Sequence, residues 1–190
     1  MAMKVTFDLT DNDLKYFRRV MKEVRAKHRN SSEQEILEAC QALIEGISAT
    51  RAPDFVRSRV EKLSVLLEML EDTEWGLSGR DRERVVRGMA YFAEPDDMIP
   101  DKVPVLGFLD DAIMVELVVN ELVHEIDAYS DFCDFRNRRE ETYGEEEDEA
   151  TREEWMEARR RALHDRMRRR RQRRSQRSRG AGGRSPISLW

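Results

Sequence analysis

Apolar residues recur three and four positions apart along most of the first 137 residues, the pattern of helices that bury one face. Five such stripes predict five helices, which start near Thr10, Ser32, Pro53, Asp81 and Leu109. The alternation of apolar and polar residues typical of a strand occurs only in the first few residues. We therefore expect an all-α fold, a compact bundle of about five helices.

Capping residues support two of these starts. Thr10 and Ser32 are favourable N-caps, because a side-chain hydroxyl can accept a hydrogen bond from a free backbone N–H of the first turn. Glu35 follows Ser32 by three positions and completes a capping box. On the stripe of this second helix, Cys40 is expected to be a buried structural thiol rather than a nucleophile.

The connection from Tyr91 to Asp111 interrupts the helical pattern. Its prolines, Pro95, Pro100 and Pro104, exclude an ordinary helix, because proline disfavours helical geometry at the residue before it. Its large apolar residues favour burial, so we expect a rigid connection packed on the helices. The same stretch holds five aspartates: Asp96, Asp97, Asp101, Asp110 and Asp111.

Two interpretations of these aspartates are open. Beside prolines and at a helix start, they can bond free backbone N–H groups as turn and capping residues do. Alternatively, four of them ligate a hard cation in a metal-dependent enzyme: Asp97, Asp101, Asp110 and Asp111. Their spacing fits no EF-hand loop, and the chain contains no common catalytic or cofactor motif. The structural interpretation is therefore favoured, and no cofactor is predicted.

The same segment resembles the signature of the YkvA-like bacterial family. The residues that carry the resemblance are Tyr91, Pro95, Asp97, Ile99, Pro100, Asp101, Pro104, Gly107, Leu109, Asp110 and Asp111. It covers about residues 80–125. The family has no established activity, so the resemblance implies a helical module and not a reaction. Members resemble one another as small helical proteins, and some have membrane-prone segments around this signature, whereas the helix after it carries several acids in this chain.

Charge is distributed unevenly along the chain. The net charge is −5, but residues 159–184 hold thirteen arginines and one aspartate, a charge of +12, which leaves −17 for the remainder. Residues 138–158 hold ten acidic and three basic residues. We therefore predict a helical domain over 1–137, an acidic connector over 138–158 and an arginine-rich, largely disordered tail over 159–190. Helix is favoured only between about 151 and 171.

The arginine-rich tail is a candidate polyanion-binding segment, since guanidinium groups suit bidentate contacts to phosphate. The predicted contacts are Arg166, Arg168, Arg169, Arg170, Arg171, Arg173 and Arg174. No aromatic residue is interleaved with them, so we expect sequence-independent binding to nucleic acid. If about six arginines reach phosphates, the log–log salt slope on duplex DNA would be about −5. Truncation after Ala158 is then expected to abolish binding and leave the helical domain folded.

These features favour a cytoplasmic, non-enzymatic interaction or adaptor module with an unknown protein partner. The two cysteines form no CxxC pair or disulfide framework, which is typical of a reducing compartment. The N-terminus has no signal-peptide pattern, and no apolar run of 18 residues occurs, so integral membrane association is not expected. Peripheral binding to anionic membrane through the arginines is a further alternative. Glu116, Asn120 and His124 are expected to form a solvated polar edge.

Overall fold

The computed structural model describes residues 8–50, 52–94, 108–143 and 148–180, without the side chains of 178–180. Within these ranges the chain is helical and contains no strand, which confirms the all-α prediction. The seven α-helices are α1 (Asp11–Lys27), α2 (Glu33–Ser48), α3 (Asp54–Glu71), α4 (Gly79–Met89), α5 (Leu109–Glu121), α6 (Val123–Tyr143) and α7 (Glu149–Gly180). Two short 3-10 turns occur at His28–Asn30 and Ala90–Ala93. The prolines of the 91–111 connection, with Asp96, Asp97 and Asp101, lie outside the described residues.

The chain divides into two compact units. The first comprises Met1–Leu63 and Val86–Val118, and the second comprises Ser64–Val85 and Val119–Trp190.

In the first unit, the predicted caps are present. Thr10 and Ser32 each accept a bond from the backbone N–H three residues on, and Asp13 and Glu35 complete the two capping boxes. One face of α2 packs into a core with Val56, Val60 and Ala112. The other apolar positions of α1 and α2 lie towards the 3-10 turn at 90–93. Capping and periodicity together therefore account for these helices.

Cys40 is completely buried on α2, as its place on the apolar stripe indicates. Burial raises the pKa of its thiol to about 12, because the thiolate would lose its hydration. The thiol is therefore protonated and unreactive at neutral pH.

In the second unit, Trp75 is the centre of the core. Its completely buried ring lies 5.2 Å from the centroid of Phe132 and 5.8 Å from that of Tyr129, both on α6. The His164 ring of α7 meets it edge-on at 4.3 Å. Residues from α6 and α7 therefore share one aromatic cluster.

The long helix predicted from 109 to 133 is interrupted at Leu122, so that α5 and α6 are separate helices. Two guanidinium groups bind carbonyls at the break: Arg174 donates to the Asn120 oxygen at 2.7 Å and Arg84 to the Glu121 oxygen at 3.3 Å. Side chains that bind helix carbonyls compete with the intrahelical ladder. The spacing of apolar residues in the sequence does not predict these contacts.

The helix α7 corrects the expectation that residues 159–190 are largely disordered, because residues 149–180 are helical. Three of its apolar side chains, Met156, Leu163 and Met167, are buried although they are few and far apart in the sequence. They lie seven and four positions apart and therefore share one helix face. This face packs along α6, while residues 181–190 lie outside the described residues.

The burial of Leu163 and Met167 reverses the expectation that truncation after Ala158 leaves the helical domain folded. Chains ended after Ala158 should lose cooperative unfolding of the second unit, because the α6 face and Trp75 would be exposed. Chains ended after Gly180 should unfold as the full chain does. Leu163→Ala should lower the free energy of unfolding by about 2–5 kcal/mol. Urea denaturation followed by Trp fluorescence measures both effects; an unchanged midpoint in the Ala158 truncation would contradict the packing role of α7.

Candidate functional site

The arginines of α7 divide into a set that faces acids of the second unit and a set that faces solvent. On the inner side, Arg168 and Arg171 bind the Asp81 carboxylate at 2.8 and 2.9 Å. Arg171 also lies 3.1 Å from Glu125, which Arg84 binds at 3.0 Å. One guanidinium therefore joins two carboxylates that come from distant parts of the sequence.

These two carboxylates are deeply buried. The side chain of Glu125 is 1% exposed and that of Asp81 is 7% exposed. Burial alone would raise the pKa of Asp81, but hydrogen bonds from Arg168 and Arg171 outweigh that effect and hold the pKa below its usual range. A buried charge without a partner is strongly destabilising, so the two acids require these arginines.

Three further arginines of α7 have partners at more exposed positions. Arg166 pairs with Asp131 of α6. Arg170 lies 3.5 Å from Asp127, and Arg174 caps the end of α5 through the Asn120 carbonyl described above. The arginines predicted as phosphate contacts at 166, 168, 170, 171 and 174 are therefore occupied within the chain.

Three arginines towards the end of α7 form what we call the exposed arginine face: Arg169, Arg173 and Arg177. All three side chains are exposed. They stand four positions apart, so they form one row along α7. No acidic side chain pairs with them among the described residues. Arg177 was not among the predicted contacts, because the sequence does not show which arginines point away from α6.

A second charged cluster ties α6 and α7 to the turn that precedes Trp75. Arg136 binds Asp72 at 2.9 Å and Glu74 at 2.8 Å, and Arg152 binds Glu74 at 2.7 Å. The Tyr129 hydroxyl donates to Asp72 at 3.1 Å. Desolvation opposes ionisation of both acids. Hydrogen bonds from the Trp75 backbone N–H and from Arg136 nevertheless keep the pKa of Asp72 below its usual value, and bonds from Arg152 and Arg136 do the same for Glu74. The charged side chains named here pair with one another within the chain, so the cluster has a structural role.

The aspartates proposed for a metal centre are only partly described. Asp97 and Asp101 lie outside the described residues, whereas Asp110 and Asp111 are buried in the first turn of α5. Their position at the positive end of the helix agrees with the structural interpretation. Among the described residues, no group of three or more His, Cys, Asp or Glu side chains could hold a metal ion.

The prediction of a solvated polar edge at residues 116, 120 and 124 is wrong for Glu116. Its side chain is only 8% exposed and lies 3.0 Å from Lys62 and 3.5 Å from Arg59. These cations on α3 supply the partner charge that a buried carboxylate needs. His124 is half-buried, and burial together with nearby Arg174 lowers its pKa.

Part of the chain is similar to a known protein family. Residues 85–117 match the model of a family described as "Protein of unknown function (DUF1232)". The chain is similar to that family from the end of α4 to α5, and the exposed arginine face on α7 lies outside the matched segment. No curated protein and no solved structure matches the chain. No helix among the described residues is both long and apolar enough to cross a membrane.

Arg171 and Arg169 are neighbours on α7 that should respond differently to substitution. Arg171→Gln leaves Asp81 and Glu125 each with one guanidinium less and should lower the free energy of unfolding by about 1–3 kcal/mol. Arg169→Gln removes the same charge from an exposed position and should change it by less than about 0.5 kcal/mol. Urea denaturation of the two variants measures the difference. Equal effects would show that the buried ion pairs do not hold α7.

Acid should weaken the second unit in two separate pH windows. Burial, and to a lesser degree Arg168, lowers the pKa of His164, and the pKa of His124 is also lowered. Folding therefore favours the neutral rings. The contribution of the two rings to the free energy of unfolding is complete above the unfolded histidine pKa of about 6.5, and it falls as the pH drops below that value. The second fall begins below about pH 4, because Asp81 of the unfolded chain then takes up a proton while the folded carboxylate, with its lowered pKa, does not.

The double variant His124→Phe and His164→Phe should flatten the first window and keep the second. The readout is the change of the urea midpoint between pH 7 and pH 5, rather than absolute stability. An unaltered slope in this variant would show that the two rings do not couple folding to pH.

Proposed function

We propose that this chain is a non-enzymatic helical interaction module that binds polyanions, nucleic acid above all, through the exposed arginine face on α7. The observation that carries the proposal is the lack of an acidic partner for Arg169, Arg173 and Arg177 among the described residues, although five neighbouring arginines are occupied. Like charges four positions apart on a helix destabilise it by about 0.2–0.5 kcal/mol per pair, so a partner that neutralises them is favoured. The fixed helix also removes part of the ordering cost of binding.

The chemistry of this face favours phosphate groups. Guanidinium forms paired hydrogen bonds to phosphate oxygens and stays charged at physiological pH. From Arg169 to Arg177 the helix rises about 12 Å. Each phosphate of one strand of duplex DNA rises about 3.4 Å along the duplex axis, so the row has the length of roughly four phosphates measured along that axis. No aromatic side chain lies between these arginines in the sequence, so the contacts would not read bases.

We further propose that residues 80–125 are a YkvA-like signature module, and that the protein acts in the bacterial cytoplasm. The match to a family of unknown function over residues 85–117 lies inside this segment and supports a module there. Two free cysteines agree with a reducing compartment.

A salt titration of binding to a fluorescent DNA duplex tests the arginine face. Three arginines that each release a counterion contribute about −3 to the slope of log binding constant against log salt concentration. Six arginines would contribute about −5. Arg169→Gln, Arg173→Gln and Arg177→Gln together should therefore make the log–log slope shallower by about 3 units and weaken binding at low salt. Glutamine keeps a high helix propensity, so α7 should remain folded.

The matched control removes three exposed positive charges from α1 instead: Lys15→Gln, Arg18→Gln and Lys22→Gln. This variant has the same net charge and should bind almost as the unmodified chain does. Equal losses of duplex binding in both triple variants would show that only net charge matters, and would refute a defined binding face. Binding to anionic vesicles but not to duplex or single-stranded nucleic acid would replace nucleic acid with membrane as the partner.

A further inference from the structure

An exposed group of aromatic residues lies where α6 ends and α7 begins. Tyr143 is 51% exposed and Trp155 is 53% exposed, which is unusual for side chains of this size. The guanidinium of Arg139 lies 4.9 Å from the Tyr143 ring centroid and 5.2 Å from that of Trp155. It also lies 5.9 Å from the ring of Phe135. We call Phe135, Tyr143 and Trp155 the aromatic surface.

Two exposed acids flank the aromatic surface. Glu140 stands three positions before Tyr143 on α6, and Glu154 is the neighbour of Trp155 on α7. Glu140 binds Arg152 at 3.3 Å, whereas Glu154 has no ion-pair partner among the described residues. Rings that already hold the guanidinium groups of Arg139 and Arg159, beside these acids, fit a partner that presents further arginines.

The chain itself carries such a partner in the exposed arginine face, but one molecule cannot bring the two together. Trp155 and Arg169 stand 14 positions apart on the same continuous helix, about 21 Å along its axis. A helix cannot fold back on itself, so Arg169, Arg173 and Arg177 cannot reach the aromatic surface of their own molecule. The arginine face of another molecule can.

We propose that a second copy of this chain binds the aromatic surface through its exposed arginine face, and that the contact is reciprocal. Each α7 has acids and Trp155 towards its start and the arginine face towards its end. Two such helices side by side in opposite directions place each acidic end against a basic end. A two-fold axis then forms the same contact twice, as in isologous dimers. Trp, Tyr and Arg are the side chains that dominate protein interfaces.

This dimer does not rest on the proposed nucleic-acid binding, although both use the arginine face. It is measured on nuclease-treated protein by sedimentation velocity. The unmodified full chain should form dimers at about 0.01 M salt and dissociate towards monomers at about 1 M, because the Debye length falls from about 30 Å to about 3 Å. A monomer at low salt over the whole accessible concentration range would overturn the proposal.

A charge-swap pair tests the reciprocal contact. One variant reverses the basic face: Arg169→Glu, Arg173→Glu and Arg177→Glu. The other reverses the acids that flank the rings: Glu140→Arg and Glu154→Arg. Each should be monomeric alone, since both contacts of a homodimer would be repulsive. The equimolar mixture should dimerise, since both contacts are attractive again. Two variants that dimerise alone, or a mixture that stays monomeric, would refute this geometry.

The aromatic surface separates the dimer from nucleic-acid binding. Tyr143→Ala with Trp155→Ala leaves the arginine face intact, so this variant should lose dimerisation at least tenfold while it binds the fluorescent duplex as strongly as before. The α1 control with Lys15→Gln, Arg18→Gln and Lys22→Gln should dimerise normally. Full dimerisation of the aromatic variant would show that the rings do not form the interface. If the aromatic variant loses both dimerisation and duplex binding, the dimer stands, and the function proposed above, which assigns duplex binding to the arginine face alone, is contradicted.

Discussion

The link that Arg171 makes between Asp81 and Glu125 is the constraint on which the second unit depends. Both carboxylates are buried, and a buried carboxylate is tolerated only with a charged partner and hydrogen bonds. The arginine comes from the far end of the sequence, so the site is complete only when α7 is folded and packed. Hydrophobic contact at Leu163 and Met167 and ion pairing at Arg171 therefore require the same helix in the same position.

This requirement determines which arginines are available to other molecules. A row of arginines in a disordered tail would offer every guanidinium to a polyanion. In the folded helix, the inner arginines bind the chain's own acids, and three described arginines remain on the outer face without such partners. The number of arginines open to a phosphate partner would therefore follow from helical geometry and from the acids on α4 and α6, rather than from the arginine content of the segment.

The sequence predicts the helices of the first unit well, because capping residues and apolar stripes are local signals. It fails where long-range contacts decide. Three widely spaced apolar residues in α7 looked insufficient for a buried face, yet Trp75 and α6 supply the rest of the core. The break at Leu122 depends on guanidinium groups from α4 and α7. The division of the arginines into inner and outer sets likewise depends on the rotation of α7 about its axis, which residue types alone do not fix.

The exposed arginine face would take part in both proposed interactions, and thermodynamic linkage then connects them. A polyanion bound to Arg169, Arg173 and Arg177 neutralises the charges that a second copy would otherwise meet. Each interaction must therefore weaken the other by the same factor. Salt does not separate them, because both are screened. The aromatic surface would separate them, because the proposed duplex contacts use the arginine face alone, whereas the proposed dimer also needs the rings.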